Sequence, residues 1–236
     1  MNTMPTFTLT VPSTGKSVRY RPFVVKEEKA LMIAQQSEDP SVMIDTLKNV
    51  IKSCVQDPIE VDALAVFDLE YIFTQIRGKS VGEIVDLMFS CDNDHGEQNE
   101  KAKSKVKVDL STIEVTRDPN HTNKIMLFGD CGVVMRYPNM NMIKQLDAGS
   151  DNIEDIFEVI VASIDCIFQG DDIYYAKEQN KEELQQFLNN LTSDQFKKVQ
   201  TFFETMPKLT TTVEYKCPIC GKEHKKVLEG LQSFFS

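Results

Sequence analysis

The feature that most constrains this chain is a pair of short polar turns, each carrying two potential metal ligands, separated by more than a hundred residues. The second is the sharper of the two: Cys217-Pro218-Ile219-Cys220-Gly221, set between the strand-like stretches 211–216 and 225–228. Two thiols three residues apart across a tight turn point the same way, and Gly221 supplies a backbone angle that other residues resist. Two thiolates cannot complete a structural zinc site, which takes four nitrogen or sulfur ligands in a tetrahedron. Only three histidines exist to help. Cys91 and His95 sit in the other polar turn, 91–104, between strand-like 84–90 and 105–110, at a spacing usual for ligand pairs. The expected set is therefore Cys91, His95, Cys217 and Cys220 around one structural Zn2+ per chain. His224, four residues after Cys220, is the rival fourth ligand. With all four positions taken by protein, no coordination site is left for water or substrate, so the ion would hold structure rather than do chemistry. It would tie residues near 91 to residues near 217 and close a large loop.

Other readings of the same residues are weaker. A redox Cys217/Cys220 pair would normally open a helix after a strand, where the dipole lowers the thiol pKa; here Lys222 to Val227 read as a charged turn entering a strand. Free thiols are the plainest alternative. The Asp92-Asn93-Asp94 run suggests a calcium loop, but Gly96 falls one position early and Lys103 stands where the bidentate Glu is needed. Cys54, Cys131 and Cys166 lie in apolar surroundings and read as buried small hydrophobes; Cys54 continues the helical stripe Met43, Leu47, Val50. His121, in the loop 118–121, has no ligand company and reads as a solvated loop residue.

The rest of the chain alternates between helical and extended periodicity. Residues 7–11 and 17–21 read as a hairpin about Ser13-Thr14-Gly15. Helices are expected over 26–36, over 40–55 with Asp39 or Ser41 as cap, and over 62–76. A second hairpin covers 124–128 and 133–137, turning at Gly129-Asp130. The apolar positions Ile153, Ile156, Phe157, Ile160, Ile164 and Phe168 predict one helix over 151–168. Two more are expected over 181–190 and 193–205, the latter capped by Thr192 or Ser193. The fold class is α+β: a helical body with short antiparallel hairpins and a zinc-ribbon-like module made by two sequence-distant hairpins. Three regions follow: 1–83, hairpin plus helices; 84–110 with 211–236, the ribbon-like module; and 111–210, hairpin plus helices, all in one compact unit.

Composition narrows the function. The 236 residues carry a net charge of −10, which weighs against a nucleic-acid footprint. No apolar run reaches the ~18 residues of a membrane span, and residues 1–10 lack a secretory signal's basic and apolar regions, so the chain is expected to fold where it is made. No P-loop, G-x-G-x-x-G, G-x-S-x-G or H-E-x-x-H occurs. The acidic pairs Glu27/Glu28, Asp171/Asp172 and Glu182/Glu183 read as solvated faces. No catalytic site and no enzyme activity are expected.

Several segments carry a resemblance. Tyr20-Arg21-Pro22-Phe23-Val24-Val25-Lys26-Glu27-Glu28-Lys29-Ala30-Leu31 resembles the opening of the T4-type bacteriophage baseplate proteins, the hub component and hub-assembly group. Phe67-Asp68-Leu69-Glu70-Tyr71-Ile72-Phe73, continued by Ile76-Arg77-Gly78-Lys79-Ser80-Val81-Gly82-Glu83, is similar as well. So is the end, Cys217 to Gly221 with Leu228-Glu229-Gly230-Leu231-Gln232-Ser233-Phe234-Phe235. Where a second cysteine stands in the family's first turn, this chain has His95, which still suits zinc. The resemblance implies a part used in building the baseplate hub through contacts with other phage baseplate or tail proteins, without nucleic acid or membrane. It implies work in the host cytoplasm during assembly, with the virion baseplate as a second place. Arg21-Pro22-Phe23 and Arg77-Gly78-Lys79 read as fold-holding first and partner contacts second; Phe234-Phe235 would dock on the chain's own core or on a neighbour. The alternative from another class is a zinc-ribbon nucleic-acid-binding regulator, using Lys101, Lys103, Lys105, Lys107, Lys222, Lys225 and Lys226.

Overall fold

The structure, a computed structural model, describes residues 4–37, 39–144, 153–231 and 233. Helix and sheet are mixed, as the alternating periodicity predicts. Strands β1 (Phe7–Thr10) and β2 (Ser17–Tyr20) form an antiparallel hairpin, and helices α1 (Val25–Gln35), α2 (Pro40–Cys54) and α3 (Val66–Val81) follow. Asp39 caps α2, its carboxylate accepting the Ser41 N–H at 2.8 Å. Leu47, Val50, Ile51 and Cys54 from α2 and Leu69, Ile72, Phe73 and Ile76 from α3 bury against Leu9, Val18 and Tyr20 of the hairpin. Asp68, fully buried in the first turn of α3, accepts the Ser13 N–H at 2.8 Å and so ties the β1–β2 turn to the helix.

One residue in this body departs from the sequence expectation. Glu27 is not on a solvated face: it is buried, receives the Val24 N–H at 2.9 Å and pairs with Arg21 at 2.9 Å. Burial alone would raise its carboxyl pKa, but those bonds bring it below the ordinary value. Arg21 and the buried Phe23 thus serve the fold around the start of α1.

Next come β3 (Ile84–Ser90) and β4 (Lys103–Asp109), paired antiparallel from Ile84↔Asp109 to Ser90↔Lys103, and the short β5 (Glu114–Thr116). A four-stranded antiparallel sheet is then assembled in sequence order from β6 (Lys124–Phe128), β7 (Cys131–Met135), β8 (Ile164–Gln169) and β9 (Asp172–Tyr175). Helices α4 (Met140–Lys144) and α5 (Ile153–Ala162) lie between β7 and β8; α6 (Lys181–Asn189) and α7 (Ser193–Thr205) follow β9. Ile125, Leu127, Val133, Met135 and Ile164 meet Ile160, Leu184, Leu188, Val199 and Phe202 in a second core. The chain ends in the hairpin β10 (Lys208–Lys216) and β11 (Glu223–Glu229), with β5 on the other side of β10.

The helix expected over 151–168 is corrected. Among the described residues it stops at Ala162, and Ile164 to Gln169 form strand β8, paired to β7 and β9. Ile164 and Phe168 satisfy both a helical and an alternating period, Cys166 between them only the alternating one, and all three are buried. Two flanking strands with free hydrogen-bonding edges settled between the two readings, which local periodicity leaves open. Strands β5 and β9 were also missed, being only three and four residues long. Phe234 and Phe235 lie outside the described residues.

His121 is likewise corrected from a solvated loop residue to a half-buried joint. One nitrogen meets Thr205 Oγ1 at 2.9 Å, the other Tyr137 Oη at 3.1 Å, and the ring stacks on Tyr137 and tilts against Phe202. Burial lowers its pKa below the ordinary 6.5. The folded state therefore resists a proton that the unfolded chain accepts, so its stabilising contribution is present above pH 6.5 or so and is lost as pH falls below it. Urea unfolding of the wild type and of His121→Phe, with chelator in both, is expected to show a wider stability gap at about pH 7.5 than at about pH 5.5. An unchanged gap would show that the proton is not excluded.

Candidate metal centre

The third buried cluster sets the site. Val85, Leu87 and Phe89 of β3 and Val108 of β4 pack on Leu209 and Val213 of β10 and Leu228 of β11. This lays the β3–β4 hairpin against β10–β11 with the polar turns at the same end. Three contacts close the gap there. Tyr215 Oη donates to the Ser90 carbonyl at 3.1 Å, Ser104 Oγ donates to the Lys216 carbonyl at 2.9 Å, and the Phe89 and Tyr215 rings stack at 5.2 Å. At the far end Glu70 of α3 accepts the Leu231 N–H at 3.2 Å, so β11 leaves the module anchored to the helical body.

Each turn is shaped to present sulfur. In the second, Cys217 N–H donates to the Lys222 carbonyl at 2.8 Å and Gly221 N–H to the Cys217 carbonyl at 3.0 Å, with Gly221 at φ +71°. That left-handed angle favours glycine. The Ile219 N–H points at Cys217 Sγ, 3.4 Å away. The first turn repeats the device: the Asn93 N–H lies 3.4 Å from Cys91 Sγ, and Cys91 N–H closes the hairpin on the Ala102 carbonyl at 3.0 Å. Beyond it, residues Gly96–Lys101 form a 3-10 turn, and the His95 N–H donates to Asn99 Oδ1 at 2.7 Å.

The ligand atoms of Cys91, His95, Cys217 and Cys220 all lie within 4.8 Å of one another, a group that can hold a metal ion. Cys91 Sγ is 3.8 Å from Cys220 Sγ, and Cys217 Sγ is 3.6 Å from His95 Nε2. Cys217 is buried, Cys91 and His95 are half-buried, and Cys220 is exposed. Burial works against ionising Cys217. The Cys220 and Ile219 N–H groups and the thiols of Cys220 and Cys91 outweigh it and hold the pKa down at about 6. Cys91 is pushed up, by desolvation first and then by the adjacent cysteines. The cluster therefore contains one thiol ready to ionise near neutral pH, the form in which sulfur binds metal.

Every residue of the sequence-derived set is brought together. His224 is not among the four: its Nε2 faces Cys91 Sγ at 3.3 Å. Asn93 was not foreseen. Its amide nitrogen lies 3.7 Å from Cys220 Sγ while its oxygen accepts from Lys222 Nζ at 3.3 Å, which bridges the two turns. An amide between an x-Cys turn and a ligand is invisible to spacing, since it acts through space. Among the lysines of the tips, Lys103, Lys105 and Lys225 pair with Glu100, Asp86 and Glu214, and Lys226 lies over the Phe89 ring. No helix among the described residues is long and apolar enough to cross a membrane. The other three cysteines, Cys54, Cys131 and Cys166, are buried as expected.

Comparison with known proteins gives a consistent answer. No solved structure matches the chain. It is 22% identical over 221 residues to the baseplate hub assembly protein gp26 of Enterobacteria phage T4, covering 94% of this chain and 93% of that protein. The family model described as T4 bacteriophage base plate protein matches residues 4–236, nearly the whole length. The likeness read from the segments near residues 20, 67 and 217 thus extends across the middle of the chain, and the protein belongs to the T4 bacteriophage base plate protein family.

Proposed function

We propose that this chain is a building part of a phage tail baseplate hub, acting through contacts with other baseplate proteins and held in shape by one structural zinc. The single observation that carries the metal half is the geometry of the four donors. A tetrahedral zinc with bonds of about 2.3 Å to sulfur and about 2.0 Å to nitrogen separates two sulfurs by about 3.8 Å and a sulfur from a nitrogen by about 3.5 Å. The Cys91–Cys220 and Cys217–His95 separations, 3.8 Å and 3.6 Å, have those values. Three thiolates and an imidazole are soft and borderline donors, which suit Zn2+ rather than Mg2+ or Ca2+. Four protein ligands leave the ion closed, so its work is to clamp the β3–β4 and β10–β11 tips as a zinc ribbon. The assembly half is supported by family membership and by the name of the phage T4 relative, a baseplate hub assembly protein.

The experiment has two arms. Protein purified without added metal is expected to carry about one zinc per chain by elemental analysis, and Co2+ in its place should give the intense thiolate-to-metal absorption of a tetrahedral sulfur-rich site. A tagged chain recovered from phage-infected cells should bring down other baseplate proteins. Zinc-free protein that takes up no Co2+ would overturn the metal half; recovery of the chain free of every phage structural protein, throughout infection, would overturn the assembly half.

A further inference from the structure

His224 has a place that its role as a rival ligand does not explain. Its side chain is only 5% exposed. The ring lies flat on Tyr215, centroids 4.9 Å apart and planes 12° off parallel. Nδ1 meets Asp92 Oδ2 at 3.1 Å, and Nε2 is aimed at Cys91 Sγ from 3.3 Å. The Asp92 carboxylate and a metal-bound Cys91 thiolate both only accept, so Nδ1 is placed to donate to the first and Nε2 to the second. Asp92 is three-quarters exposed, so burial and the Tyr215 face set the plane of the ring, and Asp92 sets its rotation within the plane.

The residue it faces is only half-buried. Cys91 sits just past the last residue of β3, in a turn open to solvent on one side, with a single backbone N–H on its sulfur. Cys217, by contrast, is buried inside its own turn. We propose that His224 is a positioning residue for the metal centre: a buried imidazole, braced by Tyr215 and Asp92, that holds the Cys91 sulfur at its corner of the tetrahedron and covers it from attack. This rests on the metal reading above. It differs from simple packing because it assigns the work to the nitrogen facing sulfur rather than to the ring. Groups that orient a ligand from outside the coordination sphere typically change metal affinity by 10- to 100-fold.

The test uses the full chain, first confirmed to bind zinc, and three variants. His224→Phe keeps the ring and the stack on Tyr215 but has no nitrogen. His224→Gln restores a polar atom near the sulfur. Asp92→Ala, at an exposed position, leaves the fold intact and frees the ring to rotate. Two readouts follow: zinc affinity against a competing chromophoric chelator, and the rate at which iodoacetamide labels Cys91 in the zinc-loaded protein, read by mass spectrometry. His224→Phe is expected to bind zinc roughly 10- to 100-fold more weakly and to label faster at Cys91 than at Cys217. His224→Gln should recover most of both, and Asp92→Ala should show the same change in milder form. Wild-type affinity and labelling in both His224→Phe and Asp92→Ala would overturn the inference while leaving the metal site standing. A wild-type chain that binds no zinc would remove the metal reading first, which makes the two failures distinguishable.

Discussion

Stripping the metal is expected to lower the unfolding free energy of this protein by about 4 kcal/mol, the linkage expected when free ion stands at about a thousand times its Kd. The reason lies in what the ion spans. Cys91 and His95 are more than 120 residues from Cys217 and Cys220 along the chain, so the bond closes a long loop that is open in the unfolded state. The packing of Val85, Leu87 and Phe89 on Leu209, Val213 and Leu228 remains without metal, so the hairpins should stay folded at their base and open at the tips. Cys217→Ser is the matching substitution. It removes the ligand whose pKa is held down at about 6, and it should bind no stoichiometric zinc. Chemical unfolding with and without EDTA provides the check. The wild type should lose stability on chelation and regain it with added Zn2+, while Cys217→Ser should start at the chelated value and respond to neither. Hydrogen exchange should place the loss at the turns 91–102 and 217–223. A wild-type curve indifferent to EDTA would show that no ion contributes to the fold.

Gly132→Ala should be the most damaging small change outside that site. Gly132 lies in β7, opposite Met126 of β6 and Phe168 of β8. An added Cβ would stand 2.9 Å from Phe168 Cε1, closer still to Phe168 Cζ, and closer still to the Ile125 carbonyl oxygen. The ring of Phe168 can swing aside only by leaving a buried place under Lys124, and a strand carbonyl cannot move without shifting its ladder. Overpacking of this kind costs about 1–3 kcal/mol where side chains alone adjust, and more when backbone must move. We expect about 3 kcal/mol, read as a fall in the denaturation midpoint. Zinc content should be untouched, since the sheet β6–β9 shares no residue with the Cys/His cluster. A neutral Gly132→Ala would mean that the sheet accommodates the methyl by a register change, which the β-bulge between Met126 and Phe128 makes the place to look.

How far the sequence could be read depended on whether a signal was local and unambiguous. The stripe Leu47, Val50, Cys54 in α2 and the caps Asp39 and Thr192 were legible because period and capping are properties of a few adjacent residues. Glu27 looked like half of a solvated acidic pair because its partner Arg21 is brought near by the chain's turn into α1, not by spacing on a helix face. His121 read as solvated because its partners come from two other places in the chain, Tyr137 just after β7 and Phe202 with Thr205 on α7. The segment 151–168 carried two periods at once, and only its neighbours β7 and β9 could turn the second half into strand.

The sequence by itself narrowed the candidate ligands to Cys91, His95, Cys217 and Cys220 with His224 as rival, since Cys-x2-Cys-Gly, C-x3-H and a small supply of histidines restrict the chemistry without any coordinates, while the α+β class came from its periodicities and the family from the likeness of its segments near residues 20, 67 and 217. Tertiary structure decided where His224 and Asn93 sit, where helix α5 ends, and which acids are buried. Those outcomes depend on groups that meet across folded distance, where hydrogen bonding, burial and strand pairing act between residues that sequence keeps apart.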